Sequence, residues 1–190
     1  MKLRKAPSES NLVERSVVLD AVGMSRVLRR VAFEIVERQG HAAYFVGIHT
    51  GGALLAERMV KLLVESGESK PDLGAVDITL YRDDVFQGLP KPEIGPTDLK
   101  QSIEGRSVVL VDDVLFTGRT VRAAMDVLVD YGRPRTVQLA VLVDRGCREL
   151  PIQPDYVGVR LQTTAEQSVR VAFAEHGDAD RVVLYERSGQ

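Results

Sequence analysis

One junction, Val108–Thr120, constrains the fold more than any other part of the chain, because it joins a buried-type strand directly to a polar loop. Four apolar, β-preferring residues end in Asp112 and Asp113. A Thr-Gly-Arg-Thr loop at 117–120 follows, and apolar residues then recur at the spacings of three and four that are typical of a helix. Such a strand–loop–helix unit delivers its loop to the carboxyl end of a sheet strand, where open α/β folds bind ligands. Helix-end N–H groups suit a phosphate and carboxylates suit hydroxyls or a cation, so the junction predicts a ligand with a phosphate and a polyol.

A second unit of the same kind lies earlier in the chain. Strand Tyr44–Ile48 is followed by a small-residue loop, His49–Ala53, and an apolar helix is predicted over about Leu54–Val64. Two consecutive glycines in the loop would let the backbone approach an anion closely. The spacing of Gly47 and Gly52 matches the phosphate loop of nucleotide triphosphatases, but the next two positions hold neither lysine nor a hydroxyl, which excludes that class. A plain strand-to-helix turn is the alternative interpretation.

The remaining hydrophobic patterns predict an α/β fold. A helix is expected from a cap at Asp20 to about Gln39, with its apolar residues on one face. Further strands are predicted at Val17–Leu19, Val76–Tyr81, Val137–Val143 and Tyr156–Leu161, with a C-terminal β-hairpin region closing at Val182–Tyr185. Three strands end in phosphate-friendly or acidic loops, so we expect a parallel-sheet core with helices on both faces and a ligand at its carboxyl edge.

Two segments are predicted to lie outside the packed core. Residues 1–15 are polar and are expected to be loosely ordered. The stretch 83–103 is rich in Pro, Gly and charge, and it predicts a long flexible loop. Its position just before the aspartate strand favours a lid over the ligand, and a solvated insertion without a role is the alternative.

Composition narrows the class of protein. The chain has 190 residues with 44% hydrophobic and 27% charged residues, which is typical of a soluble globular domain. A net charge of −2 gives no overall basic field, so binding to nucleic acid would need a local patch. The single cysteine, Cys147, fits a reducing compartment, and no apolar run reaches membrane-spanning length, so we predict a cytoplasmic protein without a membrane partner. Neither Cys147 nor the three histidines show a catalytic or metal-binding constellation.

The first helix carries a basic face. Arg26, Arg29 and Arg30 lie opposite its apolar residues, and Phe33 lies among them. An aromatic ring flanked by arginines could stack on a base of a nucleic acid. A solvated charged face, with Phe33 in a subunit contact, is the simpler interpretation.

The junction at Val108–Thr120 resembles the phosphoribosyl-pyrophosphate (PRPP) signature of the type I phosphoribosyltransferases, which is an apolar strand, Asp-Asp and then Thr-Gly-x-Thr. Together with Asp77–Asp84 and the stretch from Gly132 to Gly146, it resembles one branch, the PyrR proteins. The similarity runs from about Val18 to Arg187. The resemblance implies a single phosphoribosyltransferase-type domain over 1–190, in a homodimer or larger homo-oligomer. The PyrR proteins are regulators of pyrimidine operon attenuation that also have uracil phosphoribosyltransferase activity.

The resemblance also implies roles for individual residues. Asp112 and Asp113 would bind the ribose hydroxyls and act in catalysis, and Arg82 would meet the pyrophosphate when the lid closes. Thr50 and Gly51 would carry the pyrophosphate, and Mg²⁺ would be held through PRPP rather than in a protein cage. The positions implied for PRPP or UMP binding are Thr50, Gly51, Leu110, Val111, Asp112, Asp113, Val114, Leu115, Phe116, Thr117, Gly118, Arg119, Thr120 and Val143, the last at the edge of the uracil site.

This sequence departs from the family pattern at several positions. Gly51 stands where the family has an arginine in the pyrophosphate loop. The family positions for contact with the leader mRNA map onto Arg29, Arg30, Phe33, Arg38, Cys147, Arg148, Gln153 and Val159, and four of these (Phe33, Cys147, Gln153 and Val159) lack the family residue. Three hypotheses therefore remain open: an enzyme that is also an RNA-binding regulator responsive to UMP or UTP, an enzyme that has lost RNA binding, and a nucleotide-binding regulator with weak catalysis.

Overall fold

The computed structural model describes residues 12–81 and 97–187, which form two sheets and three α-helices. The strands are β1 (Leu12–Leu19), β2 (Tyr44–Ile48), β3 (Asp72–Val76), β4 (Ser107–Leu115), β5 (Thr136–Asp144), β6 (Tyr156–Arg160), β7 (Gln167–Ala172) and β8 (Arg181–Arg187). The helices are α1 (Ala21–Gln39), α2 (Gly51–Glu65) and α3 (Arg119–Tyr131), and short 3-10 turns lie at Thr79–Tyr81 and Ala174–His176. None of these helices combines the length and the apolar character needed to cross a membrane.

The larger sheet is parallel and has the strand order β3-β2-β4-β5-β6. Its strands are almost continuously apolar because helices cover both faces. Phe45 and Val109 pack in a cluster with residues of α1 and α2, whereas Tyr44 and Leu110 pack in a second cluster with residues of α3. The prediction of a parallel sheet with helices on both faces is confirmed.

The strand order places a topological switch point between β2 and β4. The chain leaves β2 to form β3 on one side and then returns to form β4 on the other side. The connections that follow β2 and β4 therefore diverge, which opens a crevice at the carboxyl ends of these two strands. The two loops singled out from the sequence meet at this crevice.

The smaller sheet is antiparallel, with the order β1-β8-β7, and it confirms the predicted C-terminal hairpin of β7 and β8. Arg58 of α2 fastens this sheet to the core: its guanidinium donates to both Glu175 and Asp180 and lies 5.4 Å from the ring centroid of Phe173. Strand β1 begins at Leu12 and pairs with β8 along its whole length. The prediction that residues 1–15 are loosely ordered is therefore wrong for 12–15, because cross-strand pairing orders polar residues there.

Three other boundaries differ from the predictions. The strand predicted at Val76–Tyr81 lies earlier in the chain, at Asp72–Val76, and the chain turns after it because the Asp77 side chain accepts a hydrogen bond from the Thr79 N–H (2.6 Å). Helix α2 begins at Gly51 rather than at residue 54. Residues 97–103, part of the predicted flexible loop 83–103, pack onto the fold: Asp98 bridges Ala75 through two backbone hydrogen bonds, and the Ile103 side chain is buried.

The start of α2 lies against β4 at a distance that only glycine permits. A Cβ atom on Gly52 would lie 2.1 Å from the carbonyl oxygen of Val111. A Cβ on Gly51, the preceding residue, would instead meet the side chain of Asp113, which can rotate. Gly52 is therefore required by backbone packing, whereas the contact of Gly51 is with a functional side chain.

We expect Gly52→Ala to lower the free energy of unfolding by about 1–3 kcal/mol, because the new methyl group overpacks against backbone that cannot rotate away. Gly51→Ala is the matched control, since both residues lie in the first turn of α2 and alanine has the same helix preference at each. Chemical denaturation of the two variants checks this difference. Equal stability of the two variants would contradict the packing argument.

Candidate active site

An open cavity of about 370 Å³ lies at the carboxyl ends of β2 and β4, at the switch point of the sheet. Its walls come from three places in the chain: the start of α2, the segment after β3, and the end of β4 with the start of α3. The lining residues are His49, Thr50, Gly51, Ile78, Thr79, Asp112, Asp113, Val114 and Thr120. The structure thus brings Thr50 and Gly51 to the same cavity as both aspartates.

The two aspartates lie within β4 rather than after it. Pairing between β2 and β4 stops at Val111, so the next residues of β4 have no strand neighbour on that side. Asp112 and Asp113 therefore border the cavity although the strand continues to Leu115. Each Oδ1 accepts a backbone N–H, that of Asp113 at 3.0 Å for Asp112 and that of Val114 at 2.8 Å for Asp113. These bonds favour one direction for each carboxylate.

Burial raises the pKa of the Asp113 carboxyl above its ordinary value, and the hydrogen bond from the Val114 N–H opposes this rise. The crowding comes in part from α2: a Cβ on Gly51 would lie only 2.4 Å from Asp113 Oδ2. Glycine at position 51 therefore allows the helix start and the carboxylate to approach each other. The cavity wall at this point carries two adjacent carboxyl groups, and that of Asp113 is costly to ionise.

The loop between β4 and α3 is shaped by Gly118. This residue has φ = +94° and occupies the N-cap position of α3, where it offers no side chain to the first turn. The N–H groups at that helix start suit an anion, and Thr120 presents its side chain to the same cavity. Arg119 points elsewhere, since its guanidinium pairs with Glu149 at 2.8 Å. The loop offers backbone groups and a hydroxyl, rather than the Arg119 charge, to a phosphate.

Four predicted binding residues lie away from the cavity wall: Leu110, Val111, Leu115 and Val143. Their side chains are buried in the two apolar clusters that flank the sheet. Any contact they make with a ligand would use backbone atoms. Phe116, Thr117 and Gly118 form the loop beside the cavity, and Arg82 lies outside the described residues.

Three residues of the cavity wall, His49, Ile78 and Thr79, are not among the predicted site residues. His49 follows β2 directly, which is the position where ligand-binding residues of parallel sheets occur, and that signal could have found it. Ile78 and Thr79 were assigned to a strand interior because the apolar alternation continues past the end of β3. The turn at Asp77 is what directs them to the cavity.

The residues considered for RNA contact differ in their surroundings. The guanidinium of Arg30 donates to the carbonyl oxygens of Val157 and Gly158 at 2.9 and 2.6 Å, so it is engaged with β6. Arg29 donates to Ser66 Oγ, and Arg38 pairs with Glu34 and stacks on the ring of Tyr156. Arg148 is directed into the fold and is 14% exposed. Phe33 packs against the core from a partly buried position.

The chain matches the family model of the phosphoribosyl transferase domain over residues 16–176. The bifunctional protein PyrR of Geobacter sp. (strain M21) is 47% identical over 175 residues, which cover 91% of this chain and 99% of the relative. The chain belongs to the PyrR family. The bifunctional protein PyrR of Thermus thermophilus is 45% identical over 177 residues, covering 92% of this chain and 98% of the relative.

Solved structures extend the likeness to the fold of other phosphoribosyltransferases. A hypoxanthine phosphoribosyltransferase from Staphylococcus aureus superimposes with a TM-score of 0.67 at 20% identity, covering 90% of this chain and 92% of that chain. An enzyme of the same type from Trypanosoma cruzi gives a TM-score of 0.67 at 15% identity, covering 92% and 98%. At these identities the likeness concerns the fold, and it confirms the fold class that the PyrR resemblance implied.

We expect Asp113→Asn to stabilise the protein at neutral pH. The folded-state pKa of Asp113 is raised, so its ionised form is disfavoured by folding above that pKa, and the neutral amide removes this cost. Unfolding monitored from pH 7 to pH 3 checks the sign: the advantage should shrink as pH falls and disappear below the ordinary aspartate pKa of about 3.9. Asp178→Asn, at an exposed turn, is the control and should show no advantage. A destabilised Asp113→Asn at pH 7 would contradict the argument.

Proposed function

We propose that this protein transfers the phosphoribosyl group of PRPP to uracil, giving UMP and pyrophosphate, and that it is also a uridine-nucleotide-dependent RNA-binding regulator of pyrimidine genes. The observation that carries the enzymatic part is the meeting of Asp112 and Asp113 with Thr50, Gly51 and Thr120 around one cavity. Its assignment to uracil and to pyrimidine genes rests on the PyrR family of the chain.

The cavity contains a matching group for each part of PRPP. Two adjacent carboxylates, Asp112 and Asp113, are hydrogen-bond acceptors that suit the two hydroxyls of the ribose. The start of α3 and Thr120 suit the 5′-phosphate, and the start of α2 at Thr50 and Gly51 suits the pyrophosphate. These two helix starts lie on different walls of the cavity, as the two ends of PRPP require.

The chemistry would break the bond between ribose C1′ and pyrophosphate and form a bond from C1′ to uracil N1, with release of the N1 proton to solvent. The transition state resembles an oxocarbenium ion, so the placement of charge and the exclusion of water matter more than a nucleophilic side chain. The Asp113 carboxylate accepts a hydrogen bond from the Val114 N–H at 2.8 Å, and its negative charge would stabilise the positive charge that develops on the sugar. Asp112 and Asp113 offer oxygen ligands, so the site fits Mg²⁺ bound mainly through PRPP, where it would neutralise the leaving pyrophosphate.

The second candidate function is the enzyme without RNA binding. Two observations favour it: the guanidinium groups of Arg30 and Arg148 already donate to carbonyl oxygens of the protein, and the four departures noted above remove family side chains from the proposed RNA surface. Loss of cationic contacts should flatten the dependence of RNA affinity on salt. The third candidate, a regulator with weak catalysis, rests on Gly51 in place of the family arginine.

We expect the double variant Asp112→Asn/Asp113→Asn to lose UMP synthesis by roughly 100-fold or more, because the hydroxyls of the ribose and the cationic transition state lose their anionic partners. The measurement is UMP formed from uracil and PRPP by a folded protein, with hypoxanthine as the competing base. The double variant Asp126→Asn/Asp178→Asn, at two positions outside the cavity, is the control. Near-normal turnover by the folded variant, or turnover with hypoxanthine alone, would overturn the proposal.

We expect UMP to strengthen binding of the leader RNA of a pyrimidine operon, with a shallow salt dependence because few cations remain available to phosphates. Titrations at several salt concentrations, with and without UMP, measure this. Arg29→Gln should weaken the binding several-fold if the exposed face of α1 contacts RNA. UMP synthesis without any RNA affinity would instead select the second candidate, and RNA affinity without UMP synthesis would select the third.

A further inference from the structure

The segment after β5, residues 145–152, packs against the loop that joins β4 to α3, residues 116–118, where we propose that the 5′-phosphate binds. The carbonyl oxygen of Thr117 accepts backbone N–H groups from Glu149 and Leu150, at 3.0 and 3.1 Å. Arg119 pairs with Glu149, and the backbone at Gly118 approaches the side chains of Leu150 and Ile152. The conformation of the loop therefore depends on where residues 144–152 are held.

Arg148 holds that segment to the loop. Its guanidinium donates to Asp144 Oδ1 (2.5 Å), to the carbonyl oxygens of Gly146 and Ile152 (3.0 Å each) and to the carbonyl oxygen of Phe116 (2.9 Å). A longer contact of 3.5 Å reaches Leu115. The four close contacts use four of the five N–H groups that a guanidinium possesses. The side chains of Arg148 and Asp144 are 14% and 12% exposed, so these groups are held away from solvent.

A second arginine acts on the other side of Phe116. The guanidinium of Arg145 lies 4.0 Å from the centroid of the Phe116 ring and donates to Thr163 Oγ1 and to the carbonyl oxygens of Thr164 and Gln167. Phe116 is thus fixed through its ring by Arg145 and through its carbonyl by Arg148. Of these two guanidinium groups, only that of Arg148 donates to the backbone of the loop, at the Phe116 carbonyl, so it helps to set the direction of the peptide groups that lead to the helix start.

We propose that Arg148 is a positioning residue for the 5′-phosphate, acting through the backbone of residues 116–118, and that it is not an RNA contact. This inference rests on the proposed phosphoribosyltransferase function. It differs from the role that the family resemblance implied for this position, because a guanidinium with its donors occupied by carbonyl oxygens and a carboxylate has little left to offer an external phosphate. A lysine could keep the charge beside Asp144, but its three donors lie on one nitrogen and cannot reproduce the four contacts that the guanidinium spreads over three nitrogens.

The test compares the affinities for UMP and for uridine, which differ only in the 5′-phosphate. We expect Arg148→Lys to raise the dissociation constant of UMP roughly tenfold and to leave that of uridine unchanged, a specific loss of about 1.4 kcal/mol. If Arg148→Gln folds, it should lose more UMP affinity than Arg148→Lys does. If Arg148→Gln does not fold, the result for Arg148→Lys alone is the test. A role in stability alone would weaken both ligands by the same factor.

Arg106→Lys is the matched control. Arg106 also joins a carboxylate, Asp72 at 2.7 Å, to a backbone carbonyl, Ala42 at 3.2 Å, but it precedes β4 at the opposite edge of the sheet. It should lose stability as Arg148→Lys does and keep the ratio of UMP to uridine affinity. An unchanged ratio in Arg148→Lys, with or without weaker RNA binding, would overturn the inference. Failure of the wild-type protein to bind UMP would instead overturn the proposed function.

Discussion

The close approach of α2 to β4 is the constraint on which the rest of the site depends. Gly52 lies where a Cβ would be 2.1 Å from the carbonyl oxygen of Val111, so the helix can begin directly beside the strand. That placement brings Gly51 against Asp113, and it closes one wall of the cavity. The same crowding buries Asp113 and raises its pKa. The packing that forms the site therefore also makes the Asp113 carboxyl costly to ionise. Such a loss of stability is common at functional sites.

The limits of prediction from sequence follow from the same packing. Strong periodicity was sufficient for β2, β4, β5 and β6 and for α1, whose cap at Asp20 accepts the Gly23 N–H at 2.7 Å. The start of α2 was placed three residues late because glycine has a low helix preference, which contact with β4 overrides. The apolar alternation of Val76–Tyr81 indicates a strand there, although the strand lies at Asp72–Val76 and the Asp77 side chain turns the chain after it. In both cases a tertiary or side-chain contact outweighed the local pattern.

The residues of the candidate site that belong to a sequence motif could be predicted, whereas the other residues that line the cavity could not. Asp112, Asp113 and Thr120 were found because a carboxylate pair followed by a Thr-Gly-x-Thr loop is an unusual pattern, and the structure places them together. His49 and Thr79 belong to no such pattern, and their place in the cavity depends on how β2 and β3 end. The sequence does not show that His49 and Thr79 share a cavity, because they follow two strands that become neighbours only in the folded sheet.

The orientation of an arginine side chain determines whether it contacts a ligand directly or holds other residues of the binding site in place. Sequence resemblance transfers the identity of Arg29 and Arg148 equally well, yet the first lies exposed on α1 and the second is enclosed by carbonyl oxygens. Removing an enclosed arginine leaves Asp144 with its charge uncompensated and frees the loop that it braces. A loss of RNA regulation after such a change would therefore be expected even without any contact to RNA, because the proposed site for UMP, the proposed effector, uses the same loop. Effector affinity must be measured before a variant at this position is interpreted as a change in the RNA surface.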